Sequence, residues 1–111
     1  MRMAPRKVVE YLEPNGSVPF AKWFARLDAV AAAKVATALY RMEQGTLSNV
    51  KPVGQGVAEY RIDFGPGYRI YLGQDGEVLI ILLGGGTKKG QSADIRLAQQ
   101  RWRDYKTRKK R

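Results

Sequence analysis

The stretch from Gly56 to Lys88 constrains this chain most. It reads as three apolar-rich runs, Val57–Phe64, Tyr68–Leu72 and Val78–Leu83, separated by Gly65-Pro66-Gly67 and Gln74-Asp75-Gly76. Asp-Gly suits a turn that needs positive φ, and Gly-Pro-Gly interrupts strand pairing. The pattern predicts a three-stranded antiparallel meander. The first two runs alternate. Ala58, Tyr60, Ile62 and Phe64 fall on one face, and Glu59, Arg61 and Asp63 on the other. In the second run Tyr68, Ile70 and Leu72 form an apolar face opposite Arg69 and Tyr71. The third run is apolar on both sides, which predicts an interior strand covered on both. Glu59, Arg61, Arg69 and Tyr71 thus share a polar sheet face, with Lys88 and Lys89 in a glycine-rich exit loop behind the third strand.

Upstream, Arg6–Leu12 reads as a strand ended by Pro14-Asn15-Gly16. Ser17 is a candidate N-cap for a short helix from Pro19 to Leu27, whose Phe20, Trp23, Phe24 and Leu27 follow helical spacing. That spacing favours core packing of Trp23 and Phe24 over base stacking. Asp28 is placed to cap a second helix running to Gln44, with Ala31, Val35, Ala38, Leu39 and Met42 as its apolar stripe and Lys34, Thr37, Arg41 and Gln44 opposite. Gly45 suits the left-handed position that closes it. Thr46–Gln55 reads as a loop carrying Lys51, which is placed to reach a ligand on the sheet or simply to be solvated. Downstream, Ser92 is a candidate cap for a last helix with Ile95, Ala98, Trp102 and Tyr105 inward and Arg96, Gln99, Arg103 and Lys106 outward. Asp94 suits the positive end of its dipole. Thr107–Arg111, four of its five residues basic, is expected to be a disordered tail. The fold class expected is α+β: a meander plus an N-terminal strand, an N-terminal helical hairpin, and a C-terminal helix.

Composition narrows the chemistry. The 111 residues suit one domain, here residues 1–106 plus the tail. Without cysteine or histidine, disulfides and thiolate or imidazole metal sites are excluded, and no cofactor is expected. No apolar run approaches a membrane span, and Met1–Lys7 lacks the apolar core of a signal peptide, so a cytoplasmic protein with no membrane partner is expected. The net charge of +10 calls for an acidic partner. Seven of the last eleven residues are basic, and only Asp104 among them is acidic. Gly84-Gly85-Gly86-Thr87-Lys88 lacks P-loop spacing. It reads equally as a loop that approaches a phosphodiester or as the turn from strand to helix.

Taken together, Pro19–Phe24, Gly45, Lys51–Val57, Glu59-Tyr60-Arg61-Ile62, Gly65–Tyr71, Leu83–Lys88, Gln91 and Asp94-Ile95 resemble the RelE/ParE superfamily of toxins, and its HigB-like branch most closely, from Ser17 to Lys106. The resemblance implies a RelE-like fold. It also implies a toxin of a type II toxin–antitoxin pair, neutralised by a cognate helix-turn-helix antitoxin of HigA type with which it represses its operon. RelE- and HigB-like members act as ribosome-dependent mRNA endonucleases; ParE-like members inhibit DNA gyrase. A degenerate relative that only binds antitoxin or nucleic acid is the third alternative.

RNA cleavage by attack of the 2′-OH needs charge stabilisation and proton movement rather than a protein nucleophile. Arg61, Arg69 and Lys88 are the candidates for the charge, and Glu59 and Tyr71 for proton transfer. Glu59, Arg61 and Arg69 can equally form a structural ion cluster. Lys51, Lys89, Arg103, Lys106 and Arg108 are candidates for contacts with mRNA and ribosome.

Overall fold

The computed structural model describes residues 5–110. Nine elements follow one another: β1 (Lys7–Glu10), α1 (Pro19–Ala25), α2 (Ala29–Glu43), β2 (Val50–Gly54), β3 (Val57–Ile62), β4 (Tyr68–Asp75), β5 (Leu79–Thr87), one 3-10 turn (Lys88–Gly90) and α3 (Gln91–Lys109). The strands form one sheet in the order β1-β5-β4-β3-β2. The predicted meander is present as β3-β4-β5, and β1 joins its edge parallel to β5. The fold is α+β, as the sequence predicts.

Two apolar layers sandwich the sheet. On one face α1 and α2 supply Phe20, Trp23, Val35, Ala38 and Met42, which pack on Tyr60, Ile62, Ile70, Leu72, Ile80 and Leu82. On the other face α3 lays Ala98 and Trp102 over Val57, Tyr71, Ile81 and Leu83, with Tyr11 at the margin. β5 is therefore covered on both sides, as its unbroken apolar run predicts. Asp28 caps α2 through a bond donated by the Ala31 amide, 2.8 Å. Gly45, at φ +85°, closes the helix: its amide and that of Thr46 donate to the Met42 and Arg41 carbonyls.

Several local expectations are corrected. Thr46–Gln55 is not all loop, because Val50–Gly54 forms β2, paired antiparallel with β3. Pro52, which cannot donate to a ladder, marks an edge strand, and a register shift after it weakened the alternation that would have betrayed it. Val18, not Ser17, precedes α1, and no side chain caps that helix. α3 starts at Gln91 behind Gly90, so Ser92 is inside the helix. The basic tail is not disordered through Lys109: α3 carries Thr107, Arg108 and Lys109, tied down by Asp104 and Asp75. The rest of that expectation, for Arg111, and the leader expectation over residues 1–4 lie outside the described residues.

The triple glycine is neither a phosphate loop nor a turn. Gly84, Gly85 and Gly86 belong to β5, where missing side chains let neighbours approach from both faces. A Cβ on Gly85 would lie 2.3 Å from the Trp23 ring, and one on Gly86 would lie 2.1 Å from Asp94 Oδ2. Gly73 does the same for Trp102, at 2.5 Å. The glycines are packing devices that allow indoles and the start of α3 to sit directly on the backbone.

Candidate functional site

Strand register builds the site in two rows across one sheet face. Lys51 pairs with Glu59, and Glu59 with Tyr71. One row along, the Arg61 amide donates to the Asn49 carbonyl, and Arg61 pairs with Arg69. Because side chains directly opposite one another share a face, four ionisable groups and a phenol are brought together by backbone pairing alone.

Glu59 is the centre of this arrangement, fully buried. Arg61 Nε donates to its Oε1 at 2.8 Å, Arg69 Nε stands 3.6 Å from the same oxygen, and Gln91 Nε2 donates to Oε2 at 2.7 Å. Gln91 is the first residue of α3, so this bond pins the helix start to the polar rows. With both oxygens occupied and no solvent access, Glu59 is suited to orienting the arginines rather than to taking a proton from a substrate. Arg69 is also buried, while the Arg61 side chain stays 41% exposed. The pair therefore has one anchored and one accessible guanidinium.

Tyr71 lies under α3. Its hydroxyl is buried, stands beside the Glu59 carboxylate and meets no partner at hydrogen-bond geometry. Burial, reinforced by the negative charges of Glu59 and Asp94, raises its pKa far above that of an ordinary phenol. A phenol so held is neutral at physiological pH. Asp94 sits against Gly86 and Gly90, and burial pushes its carboxyl above the usual range while Arg101 opposes the shift.

An open cleft, lined by Ser48, Asn49, Lys51, Arg61, Asp63 and Arg69, runs beside these rows. It unites three of the residues singled out in the sequence. Lys88 is close by: the Gly67 carbonyl accepts from its backbone amide, and Gly67 lies between the Arg69 guanidinium and the Lys88 side chain. Lys89 follows it, exposed on the 3-10 turn. The other candidates do not join. Arg103 donates to Gln55, Lys106 lies over the Trp102 ring, and Arg108 is engaged by Asp104, the Leu12 carbonyl and the Tyr11 ring. The contacts with Gln55, Leu12 and Tyr11 fasten α3 to the rest of the fold, while those with Trp102 and Asp104 lie within the helix. Ser48, Asn49 and Gln91 were missed as site residues, the first two because β2 was read as loop. Pairing β2 with β3 would have placed Asn49 beside Arg61.

Fold and cleft define a small α+β protein that concentrates arginine and lysine beside a buried carboxylate on one sheet face. Such a face suits an anionic ligand with several oxygens, since guanidinium presents a fork of fixed geometry. A protein of Haemophilus influenzae named "Uncharacterized protein" is 39% identical over 84 residues, covering 75% of this chain and 85% of that protein. This chain belongs to the same family as that protein. No family model matches the sequence.

Proposed function

We propose that this protein is the toxin of a type II toxin–antitoxin pair and cleaves mRNA on the ribosome. The observation that carries the reading is the cleft in which Arg61 and Arg69 stand opposite each other with Lys51 beside them. The RelE/ParE resemblance supplies the reaction class. In that reaction the 2′-oxygen bonds to the adjacent phosphorus and the P–O5′ bond breaks. A cyclic phosphate and a free 5′-hydroxyl result: the 2′-proton passes to solvent, and the departing 5′-oxygen takes a proton from solvent. Arg61 contacts the phosphate oxygens, Arg69 adds fixed positive charge from below, and Glu59 holds both in place. Lys51 and Lys88 flank the strand. The role is electrostatic preorganisation, in which oriented charge meets the charge gained in the transition state. An HTH antitoxin would neutralise the protein by covering this basic face, and the cytoplasm is where its substrate is found.

The test is a purified bacterial translation reaction with 5′ ends of the message mapped, comparing wild type, Arg61→Ala and Arg69→Ala. Cuts in ribosome-covered codons that vanish in Arg61→Ala support the proposal. Because Arg69 is buried and its loss can unfold the protein, circular dichroism accompanies that variant. Arrest of translation without cuts would replace the nuclease with a binding toxin. No effect on translation would turn attention to DNA supercoiling by gyrase.

A further inference from the structure

A second groove opens between α2 and β3, lined by Lys34, Thr37, Arg41, Asn49, Arg61 and Phe64 among others. It shares Asn49, Arg61 and Asp63 with the cleft, so the two adjoin around the strand edge at Arg61. Lys34, Arg41, Lys51, Arg61 and Arg69 line them, against the single carboxylate Asp63. Neither Lys34 nor Arg41 meets a carboxylate among the described residues. Both lack the acidic neighbour that Arg61, Arg69, Arg101, Arg108 and Lys109 each have, and Lys34 instead lies over the Phe64 ring.

Phe64 adds a second chemistry. It is a large apolar side chain left 37% exposed at the start of the β3–β4 turn. Tyr68 stacks on it with centroids 6.5 Å apart and planes at 22°, and Lys34 Nζ stands 5.0 Å from its centroid. Phe64, braced by half-buried Tyr68, gives a base a ring to stack on once Lys34 moves from it to a phosphate, and the neighbouring cations give positive charge for the backbone. Lys34 and Arg41, two helical turns apart, cover about 10 Å of helix axis, a length suited to a strand rather than to one phosphate.

We infer that the α2–β3 groove is a strand-binding extension of the cleft. It takes single-stranded RNA next to the reacting bond, with phosphates at Lys34 and Arg41 and a base on Phe64. The inference rests on the RNA reading above and adds the path of the strand. A duplex does not suit it, because its bases are already stacked and unavailable to Phe64.

The test is fluorescence anisotropy with a labelled, uncleavable 2′-O-methyl 12-mer across a range of salt. Wild type is compared with Lys34→Ala/Arg41→Ala, with Phe64→Leu, and with Lys106→Ala/Lys110→Ala as a charge-matched pair at the far end of α3. Losing two phosphate contacts lowers the slope of log K against log salt by about 1.4 and weakens binding on the order of tenfold at low salt. Phe64→Leu weakens binding about fivefold or more with the slope unchanged. The Lys106/Lys110 pair keeps the wild-type slope. Equal losses in both double variants, an unchanged slope in Lys34→Ala/Arg41→Ala, or no binding by wild type would each overturn the groove. Absence of cuts in the translation reaction would instead count against the nuclease reading, whatever the groove variants do.

Discussion

Arg61 and Arg69 face each other across β3 and β4 and turn toward the same carboxylate oxygen of Glu59, at 2.8 and 3.6 Å. Like charges placed directly opposite on a sheet repel. The buried carboxylate between them is what lets the sheet carry both, and Gln91 completes its hydrogen bonding. Fold and site are therefore coupled at one residue.

Glu59→Ala should cost about 3–5 kcal/mol, because it leaves Arg69 buried without its counter-charge. Glu59→Gln keeps the shape and should cost less, while still losing the charge that offsets the arginines. Urea unfolding of the three proteins checks this. If Glu59→Ala unfolds at the wild-type midpoint, the arginines do not depend on Glu59.

The glycines under the indoles make a separate prediction. Gly73→Ala and Gly85→Ala should each destabilise by about 1–3 kcal/mol or more, since the ring fused to the sheet has to move bodily. Gly86→Ala meets the carboxylate end of Asp94 rather than a ring, and that short side chain can turn away at lower cost. Thermal unfolding should rank Gly86→Ala as the mildest of the three. Equal midpoints would show that the indoles reseat freely.

The far end of α3 should respond to pH at both extremes. Tyr11 donates to Asp104, and Tyr105 donates to Asp75, both at 2.7 Å. Burial first, and then the carboxylate, push each phenol to about 12 from an ordinary 10.0. A folded pKa raised in this way gives stability that is full below pH 10 and lost as pH rises toward 12. Asp75 is shifted the other way by its bonds from Lys109 and Tyr105. Its contribution is present above the ordinary carboxylate range and is lost as pH falls through its lowered folded pKa. Asp94 opposes this, because burial raises its carboxyl and acid relieves the strain. Stability measured from pH 3 to 12 should therefore fall at the alkaline end, and Tyr11→Phe/Tyr105→Phe should flatten that limb. An unchanged alkaline limb in the double variant would refute the clamp.

Much of this architecture was legible because period-two alternation and turn glycines are local signals. Tyr60, Ile62, Ile70 and Leu72 sort to one layer and Glu59, Arg61, Arg69 and Tyr71 to the other, as their spacing dictates. What stayed hidden depends on contacts between distant segments. β2 is held by pairing with β3 rather than by its own residues. Lys109, in the last turn of α3, sets its ammonium on Asp75, more than thirty residues away, a contact no local pattern announces. Glu59 and Tyr71 read as members of a polar face, but nothing local reveals that α3 buries them. The contacts of Arg103 with Gln55 and of Arg108 with Asp104 and the Leu12 carbonyl were likewise not legible from charge alone.

Tyr71→Phe separates packing from chemistry. The hydroxyl is buried beside the Glu59 carboxylate without good hydrogen-bond geometry, a state that costs up to about 1–3 kcal/mol. Removing it while keeping the ring should leave stability unchanged or raise it. The phenol is also too weak an acid, under burial and the nearby Glu59 and Asp94 charges, to ionise and act as a base near neutrality. Under the proposed function, cleavage of translated mRNA should thus continue within about twofold of wild type in Tyr71→Phe, whereas Arg61→Ala should abolish it. The two readouts fail independently. A less stable Tyr71→Phe would mean that the hydroxyl has a partner in solution. A tenfold slower Tyr71→Phe of wild-type stability would mean that α3 lifts during turnover and admits the substrate to Tyr71.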